Sequence, residues 1–185
     1  DHKVGGETLL LAIDRQAGYG FNRASTVRML ITAKASVNYR SKDGERPFAK
    51  ACRRKFNNEL LGVLLEAKAK VDNFEDGALV LACSCEGRIP TETVKMLLDA
   101  NASVNLCSSD GASALYIACC GEYNTDVVKM LISAKASVNH CTEDGSQPLH
   151  GACGVDNQSA ELLMEAKADI NHLRNDGAGP LYMAC

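Results

Sequence analysis

Apolar residues in this chain cluster in short bursts at helical spacing, separated by polar, turn-forming stretches. Val127, Val128, Leu131, Ile132 and Ala134 form one such stripe, recurring at the three- and four-residue intervals of an amphipathic helix. A shorter burst carries Leu149, Ala152 and Cys153, and another carries Phe48, Ala51 and Cys52. The longer stripes begin after a residue suited to cap a helix: Ser25, Asn57 or Asn58, Thr91, Thr125 and Ser159. The pattern therefore predicts paired helices, a short one and a longer one, joined by polar loops.

The pairs repeat. "LITAKASVN" (30–38) returns as "LLEAKAKVD" (64–72), "LLDANASVN" (97–105), "LISAKASVN" (131–139) and "LMEAKADIN" (163–171). The first Ala of each lies at 33, 67, 100, 134 and 166, in steps of 34, 33, 34 and 32. A second phrase keeps the same beat: "DGERPFAKAC" (43–52), "DGASALYIAC" (110–119), "DGSQPLHGAC" (144–153) and "DGAGPLYMAC" (176–185). "DGALVLAC" (76–83) is a shortened copy and "VGGETLLLAI" (4–13) a degenerate one. A period near 33 implies stacked supersecondary units, each burying a face that it cannot cover alone. Asp-Gly supplies positive-φ positions for a tight turn. Pro47, Pro148 and Pro180 fit the first position of a helix, where a missing N–H costs nothing.

Helix, loop, helix and extended finger in this order resemble the ankyrin repeat family, whose consensus runs D-G-x-T-P-L-H-x-A-A, a loop, then V-x-L-L-L-x-x-G-A-D-V-N. "DGSQPLHGAC" is the nearest single match. The resemblance implies an all-α, ankyrin-type solenoid of stacked helix–loop–helix repeats with extended β-hairpin-like fingers. It implies one array over 1–185, with repeats at 1–42, 43–75, 76–109, 110–143 and 144–175 and a partial repeat at 176–185. Three departures stand out. The Thr before Pro is replaced by Glu7, Arg46, Ser113, Gln147 or Gly179, and the following His survives only as His150, which implies a looser helix start. The Gly ending the second helix has become Lys34, Lys68, Asn101, Lys135 or Lys167, so each must either adopt the left-handed conformation or change the cap. The third unit is short around "NFEDGALV": its finger is stunted, or residues are missing from the sequence. A stripe left uncovered near Cys185 implies a piece of a longer array or a larger complex.

Charge adds a polarity to this picture. Residues 1–72 hold 14 Lys/Arg against 8 Asp/Glu, whereas 73–185 hold 6 against 15. The basic cluster Arg40, Lys42, Arg46, Lys50, Arg53, Arg54 and Lys55 suits an acidic protein surface. No aromatic platform accompanies it, so nucleic acid is not expected. No apolar run is long enough to span a membrane. Nine cysteines, an odd number, fit reduced thiols and an intracellular compartment better than a disulfide framework.

Candidate chemistry is sparse. Cys52, Cys83, Cys119, Cys153 and Cys185 recur once per unit, as expected of a small buried residue in place of the family's second Ala. Cys107, His140, Cys141 and His172 fall on successive fingers and could suggest zinc, but they belong to different repeats. Cys83-x-Cys85 and Cys119-Cys120 are weaker signals still. No phosphate loop and no nucleophile–base arrangement is present, so the chain reads as non-enzymatic, with no cofactor.

Family members usually meet partners through finger tips and first helices. Carried over by position, this implies contacts at Lys42, Asp43, Glu45, Arg53 and Arg54, then Ser84 and Cys85. The later candidates are Ser109, Asp110, Ala112 and Cys120, followed by Glu143, Asp144 and Ser146. Tyr19 and Phe21, in the loop "AGYGFNRAS" (17–25), are aromatic candidates of the kind enriched in binding hot spots. The expected function is a protein–protein interaction module; the alternative is an architectural subunit permanently embedded in a larger assembly.

Overall fold

The computed structural model describes residues 2–14, 23–53, 58–72, 77–84 and 89–184, without the side chains of 2–4 and 53. It forms two compact units, Asp1–Phe74 and Glu75–Cys185. Eleven helices and no strand occur among the described residues, with a single β-bridge between Cys107 and Ser113.

The first unit holds α1 (His2–Asp14), α2 (Arg23–Thr32), α3 (Pro47–Arg53) and α4 (Asn58–Glu66). The first helix of each pair packs on the first helix of the next, α1 on α3, and the second on the second, α2 on α4. The other unit repeats this over α5 (Ala78–Cys83), α6 (Thr91–Asp99), α7 (Ala114–Cys119), α8 (Thr125–Ser133), α9 (Pro148–Cys153), α10 (Asn157–Glu165) and α11 (Pro180–Met183). Here α5, α7, α9 and α11 stack in one layer, and α6, α8 and α10 in another. Contacts thus run between neighbouring repeats, as the periodic sequence requires.

The core follows the stripes. Val127, Val128 and Leu131 are buried on α8, while Ile132 and Ala134, at the edge of the stripe, are half-buried. Phe48, Ala51, Cys52, Leu149 and Ala152 are buried on the short helices. Cys83 and Cys119 are buried too, whereas Cys153 is half-buried. Burial pushes the Cys119 thiol far up, so it is a protonated packing residue. Cys185 lies outside the described residues.

The expected caps of the second helices need correction. The N-cap position of α8 is Asn124 rather than Thr125, and that of α6 is Pro90 rather than Thr91, neither with a side-chain cap bond. Asp156, not Ser159, caps α10: its carboxylate accepts from Gln158 N–H at 3.1 Å and from the Ser159 hydroxyl at 2.6 Å. A carboxylate answers the positive end of the helix better than a hydroxyl does. Asp156 also accepts from Thr125 Oγ1 of the preceding repeat at 2.8 Å, so the cap doubles as a tie between units.

Every second helix ends in the same way. Lys34, Lys68, Asn101, Lys135 and Lys167 have φ between 59 and 68°. In the repeat of α8, Lys135 N–H donates to Ile132 O at 2.9 Å and Ala136 N–H to Leu131 O at 3.0 Å. These are the two bonds of a Schellman motif, and the same pair closes the other four helices. Ala69, Ala102, Ala136 and Ala168, the residues after the left-handed position, are buried. The chain thus keeps the family's cap geometry while placing a side chain where glycine is cheapest.

Candidate protein-contact surface

The fingers are shorter than extended hairpins. In the finger before α9, Gly145 N–H donates to Thr142 O at 3.0 Å and Thr142 N–H to Ser146 O at 2.9 Å. The same two bonds close the fingers over 41–45, 108–112 and 174–178. Only the glycine of each Asp-Gly pair takes positive φ: Gly44, Gly111, Gly145 and Gly177 lie between 78 and 84°. A type I turn followed by a left-handed glycine has this form and leaves no length for a ladder.

Aspartate organises the tips of the Glu75–Cys185 unit. Ser108 Oγ donates to Asp110, and Thr142 Oγ1 donates to Asp144. Asp144 also accepts from the Ser146 backbone N–H at 3.1 Å and from the Ser146 hydroxyl at 3.0 Å. These donors, led by the Thr142 hydroxyl, hold the Asp144 carboxyl down at about 2. The Ser108 hydroxyl likewise lowers Asp110.

Successive tips are bonded in a row. Glu143 N–H donates to Asp110 O at 3.0 Å, and Asn175 N–H to Asp144 O at 3.0 Å. Arg174 reaches Asp144 at 3.0 Å and Asp176 at 3.5 Å. Behind the tips, Asn105 and Asn139 each span to the next repeat. Asn139 Oδ1 accepts from Asp169 N–H at 2.9 Å, and its Nδ2 donates to Lys167 O at 3.4 Å. Asn105 does the same with Ser137 N–H and Lys135 O, at 2.8 and 3.4 Å. Asn38 repeats the clamp in the first unit with Lys70 N–H and Lys68 O. Sequence reasoning missed this role, although an Asn recurring at the end of each "SVN" was its signal.

The structure separates the predicted contact residues into three groups. Lys42, Asp43, Ser84, Ser109, Asp110, Cys120, Glu143 and Asp144 are exposed. Ser109, Asp110, Glu143 and Asp144 stand on the bonded row of tips. Glu45 is half-buried and engaged by Lys50 at 2.8 Å. Ala112 and Ser146 are buried, at 5% and 1% exposure. Their side chains are turned into the base of the finger, so neither offers surface to a partner. Ser84 spends its hydroxyl on Val80 O at the end of α5, 2.8 Å away. Tyr19, Phe21, Arg54 and Cys85, and the Arg53 side chain, lie outside the described residues, as do residues 73–76 of the shortened third unit.

The basic cluster is partly neutralised from within. Lys50 pairs with Glu45 and with Asp14 at 3.5 Å, and Arg46 donates to Asn38 O at 3.2 Å. Arg40 and Lys42 remain exposed.

The zinc reading finds only pairs. Cys107 Sγ lies 3.1 Å from His140 Nε2, and Cys141 Sγ lies 3.5 Å from His172 Nε2. No group of three or more metal-ligating side chains converges among the described residues. The seven described cysteines are all free thiols. No helix among the described residues is long and apolar enough to cross a membrane.

Residues 90–174 match the family model described as ankyrin repeats, in three copies. Residues 90–174 are thus ankyrin repeats. Ankyrin repeats generally serve as protein–protein interaction modules, and the family is typically non-enzymatic. The first unit lies outside the matched residues, yet its ankyrin-like Asp-Gly finger and left-handed Lys34 and Lys68 caps have the same local geometry. No curated protein matches the sequence significantly.

Proposed function

We propose that this chain is a non-enzymatic recognition module that binds another protein through finger tips and first-helix residues. The carrying observation is the hydrogen-bonded row of tips: backbone bonds at 3.0 Å fix Asp110, Glu143, Asp144 and Asn175 relative to one another while the acidic side chains stay exposed. Side chains held in place before binding lose little entropy on binding, which is how a rigid display gains affinity. The proposed contact set is Lys42 and Asp43 in the first unit, and Ser109, Asp110, Cys120, Glu143 and Asp144 in the other. Arg40 and Lys42 suit an acidic segment of the partner; the acidic tips suit a basic one. Free thiols throughout the described residues support an intracellular setting.

Crosslinking mass spectrometry on the native complex tests the reading: crosslinks should concentrate on the finger row and first helices. Crosslinks confined to the outer faces of α6, α8 and α10 would overturn it. A permanent architectural role is the second reading, favoured by the exposure of Leu173, Leu181 and Tyr182 at 60, 78 and 75%. A salt titration of the captured complex separates the two. Charge-led recognition weakens steeply as ions screen it, whereas an apolar interface hardly responds.

A further inference from the structure

The four described Asp-Gly fingers share one backbone. In each, the glycine has φ between 78 and 84°, and its N–H donates to the carbonyl three residues back at 2.9–3.1 Å. Their aspartates, Asp43, Asp110, Asp144 and Asp176, are all exposed. Asp76, in a fifth Asp-Gly pair, lies outside the described residues.

The carboxylates differ. Asp110 accepts from Ser108 Oγ, and from Ala112 N–H at 3.5 Å. Asp144 is held by Thr142 Oγ1, by the backbone N–H and hydroxyl of Ser146, and by Arg174. Asp176 accepts from Ala178 N–H at 3.0 Å and pairs with Arg174 at 3.5 Å. Asp43 accepts no hydrogen bond among the described residues. Glu45 N–H, which matches the donors of Ala112, Ser146 and Ala178, goes to Ser41 Oγ instead, at 2.9 Å. Beside this free carboxylate stands a cation: a Cβ built on Gly44 would lie 3.5 Å from Arg40 Nη2.

An Asp-Gly pair carries its own nucleophile. The glycine nitrogen closes on the preceding Cγ to form a cyclic imide, and glycine has no Cβ to shield that approach. Closure requires the carboxyl group to swing toward the nitrogen. Hydrogen bonds to the carboxylate oppose the swing and keep the group ionised, which makes it a poor electrophile. Asp144, held at about 2 against an ordinary 3.8, is protonated on the order of 60 times less often near neutral pH. A cation beside the glycine, by contrast, stabilises negative charge developing on the attacked carboxyl.

We propose that Asp43 is a site of spontaneous isoaspartate formation through a cyclic imide with Gly44, and that the carboxylate bonds of Asp110, Asp144 and Asp176 protect the other three fingers. The Gly44 nitrogen bonds to Asp43 Cγ, and the carboxyl hydroxyl leaves as water with the amide proton. Water then adds to the main-chain carbonyl carbon of Asp43 and breaks its bond to the Gly44 nitrogen. The chain now runs through Cγ, and the former main-chain carbonyl is a free carboxylate. Water is the only reagent, and nothing is oxidised or reduced. The product adds a methylene to the main chain at the tip. This puts the Gly44–Ser41 and Ser41–Glu45 backbone bonds out of register, in the finger that carries Lys42.

Each passage through the imide takes up one solvent oxygen. The full folded chain is therefore incubated in heavy-oxygen water near neutral pH, and the label is located by peptide mass spectrometry with fragmentation. Asp43 should take up label at least about tenfold faster than Asp110, Asp144 or Asp176, the scale set by hydrogen bonds to a charged group. Ser108→Ala removes the leading donor to Asp110 and should raise labelling there several-fold, with circular dichroism showing the fold retained. In guanidinium chloride, where the bonds are gone, the four rates should converge. Equal rates in the folded chain would overturn the proposal, as would an unchanged Asp110 rate in the folded variant. The same ranking persisting in guanidinium chloride would also overturn it, by assigning the difference to flanking sequence. Labelling needs no partner, so the result is independent of the recognition reading.

Discussion

Replacing Asn139 with alanine removes a clamp between two repeats without touching the core. The side chain makes two bonds to the next unit, at 2.9 Å from Asp169 N–H and at 3.4 Å to Lys167 O. A typical internal hydrogen bond contributes about 1 kcal/mol net, and the longer contact counts for about half of that. Asn139 is exposed, so water replaces the lost partners and no buried group is stranded. Asn139→Ala should therefore cost about 1–1.5 kcal/mol, on the order of 5 °C in Tm for a unit of this size. The chain supplies its own control. Asn171 occupies the same place in "ADIN", is exposed, and its side chain makes no hydrogen bond among the described residues. Asn171→Ala should stay within about 0.5 kcal/mol of the parent, as surface changes usually do. With no Trp in the sequence, urea unfolding followed by far-ultraviolet circular dichroism is the suitable assay. Equal losses for the two variants would refute the clamp argument, because the change in side chain is the same and only the cross-repeat bonds differ.

Lys135→Gly should stabilise the fold by about 0.5–1 kcal/mol, because φ of 68° suits glycine better than lysine; thermal melts would show it as a raised Tm. Leu131→Ala, at a position with 0% exposure, should cost about 2–5 kcal/mol in the same unfolding assay, from lost burial and the cavity left behind. Burial holds His150 below its ordinary value of 6.5, so the unfolded chain binds its proton more readily. The stability that neutral His150 contributes is present above pH 6.5 and should fall as pH drops below it, and His150→Gln should flatten that part of the pH–stability curve. Asp144, held at about 2 against an ordinary 3.8, contributes stability above pH 3.8 that is lost as pH falls toward 2; Asp144→Asn should remove that acid limb.

The paired helices and the Asp-Gly turn were legible because each rests on chemistry local to a few residues; at the helix ends the sequence left two outcomes, and the structure takes the left-handed one. Pro47, Pro148 and Pro180 do open their helices, and the core thiols Cys52, Cys83 and Cys119 are buried. The caps were misplaced because Thr125 and Ser159 look like good caps in isolation, while Asp156 competes from outside the stripe and binds both. The contact set was legible as positions but not as surfaces. Ser146 and Glu143 lie three residues apart, yet one turns inward to Asp144 and the other outward. Lys50 looked available to a partner until Glu45 and Asp14 came within reach of it.

By itself the sequence determined the period, the helix type and the need for neighbours, since hydrophobic spacing and turn residues act over a single unit and are written out afresh in each. Tertiary structure alone decided what crosses from one unit to the next: the Asn clamps and the bonded row of tips. Those contacts join residues about thirty positions apart, and their existence depends on distances of a few tenths of an ångström that stacking sets and no local pattern encodes.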